Sequence, residues 1–335
     1  MAMRKRNVAS TVTLESIQHP VTEELREVEA FIRNILLSEF HFHEEIAEHL
    51  TNMKGKLFRP TLLLLSGKMT DGEKSPRSLV PMAVVIEMIH TATLVHDDFI
   101  DNATVRRGLP TLNDRWSDQV SVIMGDYLYS RSLIEMVGVG DLEVMRIVSD
   151  ACRRIALGEL MELNLTSSLD QTEMQYYETI RHKTATLIAA SCEGGAVLSG
   201  SEHREKLRMY GEYLGMAYQI VDDIFDYKGR TSVLGKVVGT DLREKKATLP
   251  LIHSLKTMSD RERTFVEDVF QRPEIGEADI TEVSRIIERH GGFNHAMKQA
   301  VSFAEKARTA MEDIEPSRCR ESLLAAVDYV VERDK

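Results

Sequence analysis

Two stretches of the chain are apolar on nearly every helical face. Residues 82–95, MAVVIEMIHTATLV, are interrupted mainly by Glu87, His90 and two threonines, and residues 214–221, LGMAYQIV, mainly by Gln219. A helix apolar all round is a buried helix, so both belong to the core. Elsewhere the period stays near 3.6. Thr172-Glu-Met-Gln175 reads as a capping box opening a helix through Tyr177, Ile180, Thr184, Leu187 and Ile188. Asp279-Ile-Thr-Glu282 reads as a second, for a helix running to His290 and stopping at Gly291-Gly292. Breaks fall at 69–77, 229–235 and 271–278. No segment alternates long enough to predict a sheet, so the expected fold is all-α, a bundle with its sites on core-facing helix positions.

Each apolar run ends in the same acidic pattern. The first is Asp97-Asp98-Phe99-Ile100-Asp101, and the second, 125 positions on, is Asp222-Asp223-Ile224-Phe225-Asp226. On a helix the first and fifth residues of such a pattern share a face, with the second a quarter turn away. A buried helix ending in three carboxylates is costly unless cations or partners neutralise them. Hard oxygen ligands in that number suit Mg²⁺, which shares its coordination with phosphate oxygens. Two such clusters facing one another would clamp a diphosphate.

Composition narrows the classes. The 335 residues, 43% hydrophobic, can bury a large core, and no Pro/Gly/Ser-rich linker divides them, so one domain spanning 1–335 is expected. Residues 1–9 read as a basic flexible arm rather than an export signal. A net charge of −11 without a basic stripe argues against nucleic acid, and no apolar run reaches the roughly 18 unbroken residues of a membrane span. Cys152, Cys192 and Cys319 are scattered and odd in number, which fits a reduced cytoplasmic compartment.

Several motifs fail on spacing. His43 and His49 flank an acidic segment but lie six apart instead of four, so the stretch reads as a solvated helix and not a zinc site. Gly138-Val139-Gly140 has no preceding strand and reads as a helix connection, and Gly194-Gly195 as close helix packing. The basic groups are more suggestive. Lys183 lies inside an apolar stretch, where an unpaired lysine would be costly. Arg106-Arg107 follows the first pentad within two turns, Lys236 and Lys246 bracket a segment after the second, and Lys56 and Arg59 are three apart before Pro60, as on one helical face. Lys245 reads as an ordinary solvated charge.

HTATLVHDDFIDNATVRRG (90–108), MGDYLYSRS (124–132), KTATLI (183–188), YQIVDDIFDY (218–227) and GKVVGTDLREKKATLPL (235–251) together resemble the trans-isoprenyl diphosphate synthases, over roughly residues 50–335. The resemblance implies an all-α bundle around a deep central cavity and a homodimer. It implies Mg²⁺-dependent (three ions with substrate bound, or Mn²⁺) 1′-4 condensation of isopentenyl diphosphate with an allylic diphosphate, for isoprenoid biosynthesis such as quinone side chains. On that basis Asp97, Asp98, Asp101, Asp222, Asp223 and Asp226 would hold Mg²⁺ on the allylic diphosphate, contacted also by Arg106, Lys183, Lys236 and Lys246. Lys56, Arg59, His90 and Arg107 would bind isopentenyl diphosphate, with Thr184 and Gln219 near the allylic carbocation. The released diphosphate is the expected base, since the motifs offer no neutral histidine or free carboxylate.

Three positions depart from the family pattern: Leu57 replaces an arginine, Lys245 a glycine, and Glu162 a glutamine. Other classes fit less well. A non-catalytic subunit of a two-component synthase should have lost aspartates or basic residues, and a terpene cyclase lacks the second pentad and the isopentenyl site. A catalytic subunit of such a heteromer remains open. Product length follows from the helix before Asp97, along which the growing chain would descend. Ala92 and Thr93, a turn below the metals, are small, and Ile89, Met88 and Val85 further down are not aromatic. The expectation is a product of roughly C30–C50, taking about one isoprene per 5.4 Å turn, with a short-chain synthase as the alternative. Tyr127, Tyr129 and Met161 are candidate floors.

Overall fold

The computed structural model describes residues 12–39, 44–53, 55–69, 77–228 and 239–332. The expected arm at 1–9, residues 70–76 of the break expected at 69–77, the break at 229–235, and Lys236 lie outside the described residues.

The elements are helices almost throughout. Short α1 (Leu14–Gln18) leads through a 3₁₀ turn into α2 (Thr22–Glu39), followed by α3 (Glu44–Asn52), α4 (Phe58–Gly67), α5 (Leu79–Ile100), α6 (Leu112–Arg115), α7 (Asp118–Val139) and α8 (Leu142–Leu165). Then come α9 (Glu173–Ile180), a π-helical turn (Arg181–Ala185), α10 (Thr186–Leu198), α11 (Arg204–Lys228), α12 (Thr240–Arg243), α13 (Leu249–Ser254), α14 (Asp260–Gln271), α15 (Glu277–Arg289), α16 (Gly292–Ala310) and α17 (Arg318–Glu332). Among the described residues the strands are two-residue pieces, Val105–Arg106 paired antiparallel with Leu109–Pro110.

Helix α5 is the central element. It is buried along most of its length and packs against α7, α4, α2 and α10. By length and mean hydropathy alone it would suffice to cross a membrane, but it is the core of a bundle whose buried apolar residues form one contiguous cluster from Ile17 to Val330. Helix α10 lies so close to α4 that a Cβ at Gly195 would meet the Leu63 carbonyl at 2.2 Å. Close packing therefore holds at Gly195 but not at Gly194, where a Cβ would meet only Val144 Cγ1 at 3.7 Å.

The Thr172 capping box forms, with Gln175 at its third position. Asp279 does not begin its helix. It is the third residue of α15, where Asp279 Oδ2 accepts from Gly276 N. Both spacings are three residues, and the real cap three residues upstream is a glycine without a side-chain signal. Gly140 caps α7 in the left-handed conformation, and Gly291 precedes α16 in the same one. His49 is not solvated. It is buried against Trp116, with its ring nitrogens on Pro110 O (2.8 Å) and an Arg115 guanidinium (3.0 Å).

Candidate active site

The C-terminal end of α5 delivers the first pentad. Asp98 is buried and Asp97 half-buried, and Asp101 is the residue that ends the helix. The chain then turns back through the small hairpin rather than continuing as helix. Arg107 (φ 53°) and Gly108 (φ 78°) are its two central residues, both in the left-handed region as a type I′ turn requires. This return aims Arg106 at α5, where its Nε donates to Asp98 Oδ1 at 2.6 Å. Burial still raises the Asp98 carboxyl above its ordinary range, with Arg106 opposing.

Lys183 and Thr184 ride on the π turn between α9 and α10. Such single-turn bulges re-aim side chains within a helix, and here glycines allow it to be enclosed. A Cβ at Gly158 of α8 would lie 2.6 Å from Lys183 N, and one at Gly215 of α11 2.5 Å from Ala185 Cα. Lys183 Nζ reaches Glu162 Oε2 (2.6 Å) and Glu159 Oε2 (2.7 Å). Burial works against its charge, but Glu162 and Asp97 outweigh burial and raise its pKa. Lys246 Nζ sits 2.9 Å from each of Asp101 Oδ1, Glu162 Oε2 and Glu244 Oε2. Glu162, where a glutamine was expected, thus ties the two lysines together.

The second pentad joins the same site through hydrogen bonds. Thr184 Oγ1 donates to Gln219 Oε1 (2.8 Å), and Gln219 Nε2 donates to Asp223 Oδ1 (2.7 Å). The Tyr176 hydroxyl donates to Asp223 Oδ2 (2.6 Å). Asp223 is buried, and burial together with Asp241 drives its pKa well up. Asp226 is engaged differently. Its Oδ1 accepts from Thr240 N (3.2 Å) and its Oδ2 from Asp241 N (2.9 Å), so it caps α12.

A second basic group lies beside the first. Arg59 Nη1 meets His90 Nε2 at 3.1 Å, and Arg107 Nη1 donates to Met53 O at 2.7 Å. His90 is held neutral by burial, then by Arg59, Arg107 and Arg106. A neutral histidine is therefore present after all, but its Nε2 already faces the Arg59 donor. Lys56 is not on a helical face with Arg59. It is exposed in the segment before α4, because Leu57 takes a left-handed conformation (φ 49°) and starts the helix one residue later. Glu87 went unnoticed in the sequence apart from its break in the apolar run. It is buried, with its pKa raised by burial and lowered by Arg59 and Arg107, and is the counter-charge of that cluster. A Cβ at Gly55 would touch Glu87 Oε1 at 2.8 Å and Arg107 Nη1 at 3.1 Å.

The donor set fits divalent cations. Burial pushes the Asp97 pKa up to about 7, opposed by Lys183 and reinforced by Glu159 and Asp101. At Asp97 and Asp98 the neighbouring cations do not offset the cost of burial. The polyprenyl synthetase family model matches residues 41–287, nearly three quarters of the chain. The chain belongs to the polyprenyl synthetase family. It is 32% identical over 320 residues to an all-trans-nonaprenyl-diphosphate synthase (geranyl-diphosphate specific) from Rhodobacter capsulatus, covering 95% of this chain and 98% of that one. It is 34% identical over 297 residues to a short chain isoprenyl diphosphate synthase from Methanothermobacter thermautotrophicus, covering 86% and 89%. The crystal structure of a polyprenyl synthase from Caulobacter crescentus, complexed with calcium and isoprenyl diphosphate, superposes with a TM-score of 0.92 at 33% identity, covering 98% and 100%.

As a polyprenyl synthetase the chain is an all-α prenyltransferase. The α5 wall below Asp97 carries Ala92, Ile89 and Met88, all buried, and Thr93, whose Oγ1 donates to His90 O at 2.8 Å. No aromatic ring stands at these positions. Of the candidate floors, Tyr129 is 36% exposed, while Tyr127 packs half-buried against the core and Met161 is half-buried on α8.

Proposed function

We propose that this polyprenyl synthetase joins isopentenyl diphosphate head to tail to an allylic diphosphate and repeats the step to a long all-trans product. The observation that carries the reading is the convergence of the two pentads on one lysine-lined site. Asp101 is joined to Lys246, Lys246 and Lys183 to Glu162, and Thr184 through Gln219 to Asp223. Asp97, Asp98, Asp101, Asp222 and Asp223 would hold Mg²⁺, whose charge would stabilise the departing diphosphate. Asp226 supports this set by capping α12.

Lys183 and Lys246 complete the neutralisation, leaving Glu162 for the incoming phosphate as it binds. Arg106 turns from Asp98 to the same group. Thr184 and Gln219 present oxygens to the allylic carbon as it becomes cationic. Lys56, Arg59, His90 and Arg107 seat isopentenyl diphosphate and orient its double bond. The released diphosphate takes the proton, because the neutral His90 is committed to Arg59.

Relatives named for long and short products share similar identity, so the length rests on the small residues of α5. We also infer that residues 1–335 work as one unit and as a homodimer in the cytoplasm. The support for a homodimer is the set of exposed apolar side chains on α7 (Ile123, Leu133, Ile134, Val137) and on α8 (Leu157, Leu160, Leu163). Three free cysteines suit a reducing compartment. The site is tested by Asp97→Ala and Asp222→Ala. Each should lower turnover by two or more powers of ten, and full activity in excess chelator would refute the reading.

A further inference from the structure

Away from the aspartate site, three helices bring together two imidazoles and a carboxylate. Glu173 opens α9, His253 lies in α13, and His295 is in the first turns of α16. One donor atom from each lies within 4.8 Å of the other two. His295 Nε2 is 3.1 Å from Glu173 Oε2, and His253 Nδ1 is 3.6 Å from Glu173 Oε1. A tetrahedral ion with 2.0–2.1 Å bonds spaces its ligand atoms about 3.3 Å apart, close to the 3.1 Å between His295 and Glu173 and within the 4.8 Å that bounds the trio.

The packing of the two rings suits ligands. The His253 and His295 rings stack at 3.8 Å with an angle of 8°. Two imidazolium ions would repel in that arrangement, so the stack favours at least one neutral ring. The neutral ring is the form that binds metal. His253 Nδ1 is also shielded from solvent, with no hydrogen-bond partner among the described residues.

We propose that Glu173, His253 and His295 form a binding site for a transition-metal ion of the Zn²⁺ class, with its fourth position open to solvent. One ring swings out of the stack to bring the two nitrogens to the ion. Lys256 Nζ, now 2.6 Å from Glu173 Oε1, is 57% exposed and yields its place at the cost of a surface ion pair. Imidazole donors select zinc, cobalt or nickel, whereas the all-oxygen pentads suit Mg²⁺. The ion would fasten the start of α9 to α13 and α16, one turn before the Tyr176 that holds Asp223.

The test is a Co²⁺ titration of the full-length protein, stripped of metal and then kept in excess Mg²⁺ and inorganic pyrophosphate to fill the aspartates. The expected result is the intense visible absorption of four-coordinate cobalt, saturating at one ion per chain and displaced by Zn²⁺. It is absent from the His253→Asn/His295→Asn variant, whose circular dichroism and prenyl-transfer rate match the parent. Only the weak spectrum of six-coordinate cobalt, or an equal band in the double variant, overturns the proposal. Lys256→Ala gives a second reading should that variant not fold. Removing the competing ammonium should tighten Co²⁺ about threefold, the worth of a surface ion pair, and unchanged or weaker affinity overturns the site.

Discussion

Gly158→Ala tests whether the π turn that carries Lys183 depends on backbone contact with α8. The added methyl would stand 2.6 Å from Lys183 N and 3.0 Å from His182 C, both backbone atoms, where ordinary contact begins at 3.4 Å. Relief therefore needs a shift of 0.8 Å between two helices, neither able to give way by rotating a side chain. Overpacking of this kind costs about 1–3 kcal/mol. With an unfolding entropy near 2.1 cal/mol/K per residue, that lowers Tm by about 1.5–4 °C. The same shift would displace Lys183 from the place proposed for the leaving diphosphate, and misplacement on the scale of 1 Å costs about 10- to 100-fold in rate. Differential scanning calorimetry and steady-state turnover measure the two effects, with the KM for isopentenyl diphosphate expected near its parent value. Gly194→Ala is the control. Its methyl would meet Val144 Cγ1 at 3.7 Å, an ordinary contact, and should stabilise α10 by about 0.5–1 kcal/mol without loss of rate. Unchanged Tm and kcat in Gly158→Ala, or equal effects in both variants, would refute the reasoning.

Further outcomes follow from the same geometry. Lys56→Ala and Arg107→Ala should mainly raise the KM for isopentenyl diphosphate, whereas Lys183→Ala should weaken the allylic substrate and lower kcat; identical kinetic profiles would show the two sites wrongly assigned. Ala92→Phe should fill the path along α5 and cut the product to about C15–C20, at one unit per turn, with the first condensation retained. The metal-free protein should lose stability as pH rises from about 4 to 7, because Asp97 with its pKa near 7 binds a proton in the folded state that the unfolded chain has released. Asp97→Asn should flatten that slope in urea titrations, and a slope of the opposite sign would contradict the assignment.

The parts of the site legible in the sequence are those whose cost is local. Six aspartates ending apolar helices, and Lys183 inside one, declare themselves because burying them alone is expensive. Roles set by distant partners were hidden. Asp226 keeps the ligand spacing yet caps α12, fourteen residues on, and Glu87 looks like a flaw in an apolar run until Arg59 and Arg107 arrive. Backbone conformation was legible only where a glycine marks it. Lys245 stands at φ 57°, which explains the family's glycine there, and Leu57 at φ 49° removes Lys56 from the helix expected to carry it.

Product length depends on the wall that α5 presents below Asp97. The most direct measurement is incubation of the purified protein with Mg²⁺, labelled isopentenyl diphosphate and, separately, geranyl, farnesyl and geranylgeranyl diphosphates, with products sized by chromatography. Small residues at Ala92 and Thr93 predict a ladder ending between about C30 and C50, at one isoprene per turn. Products that stop at C15 or C20 would contradict it.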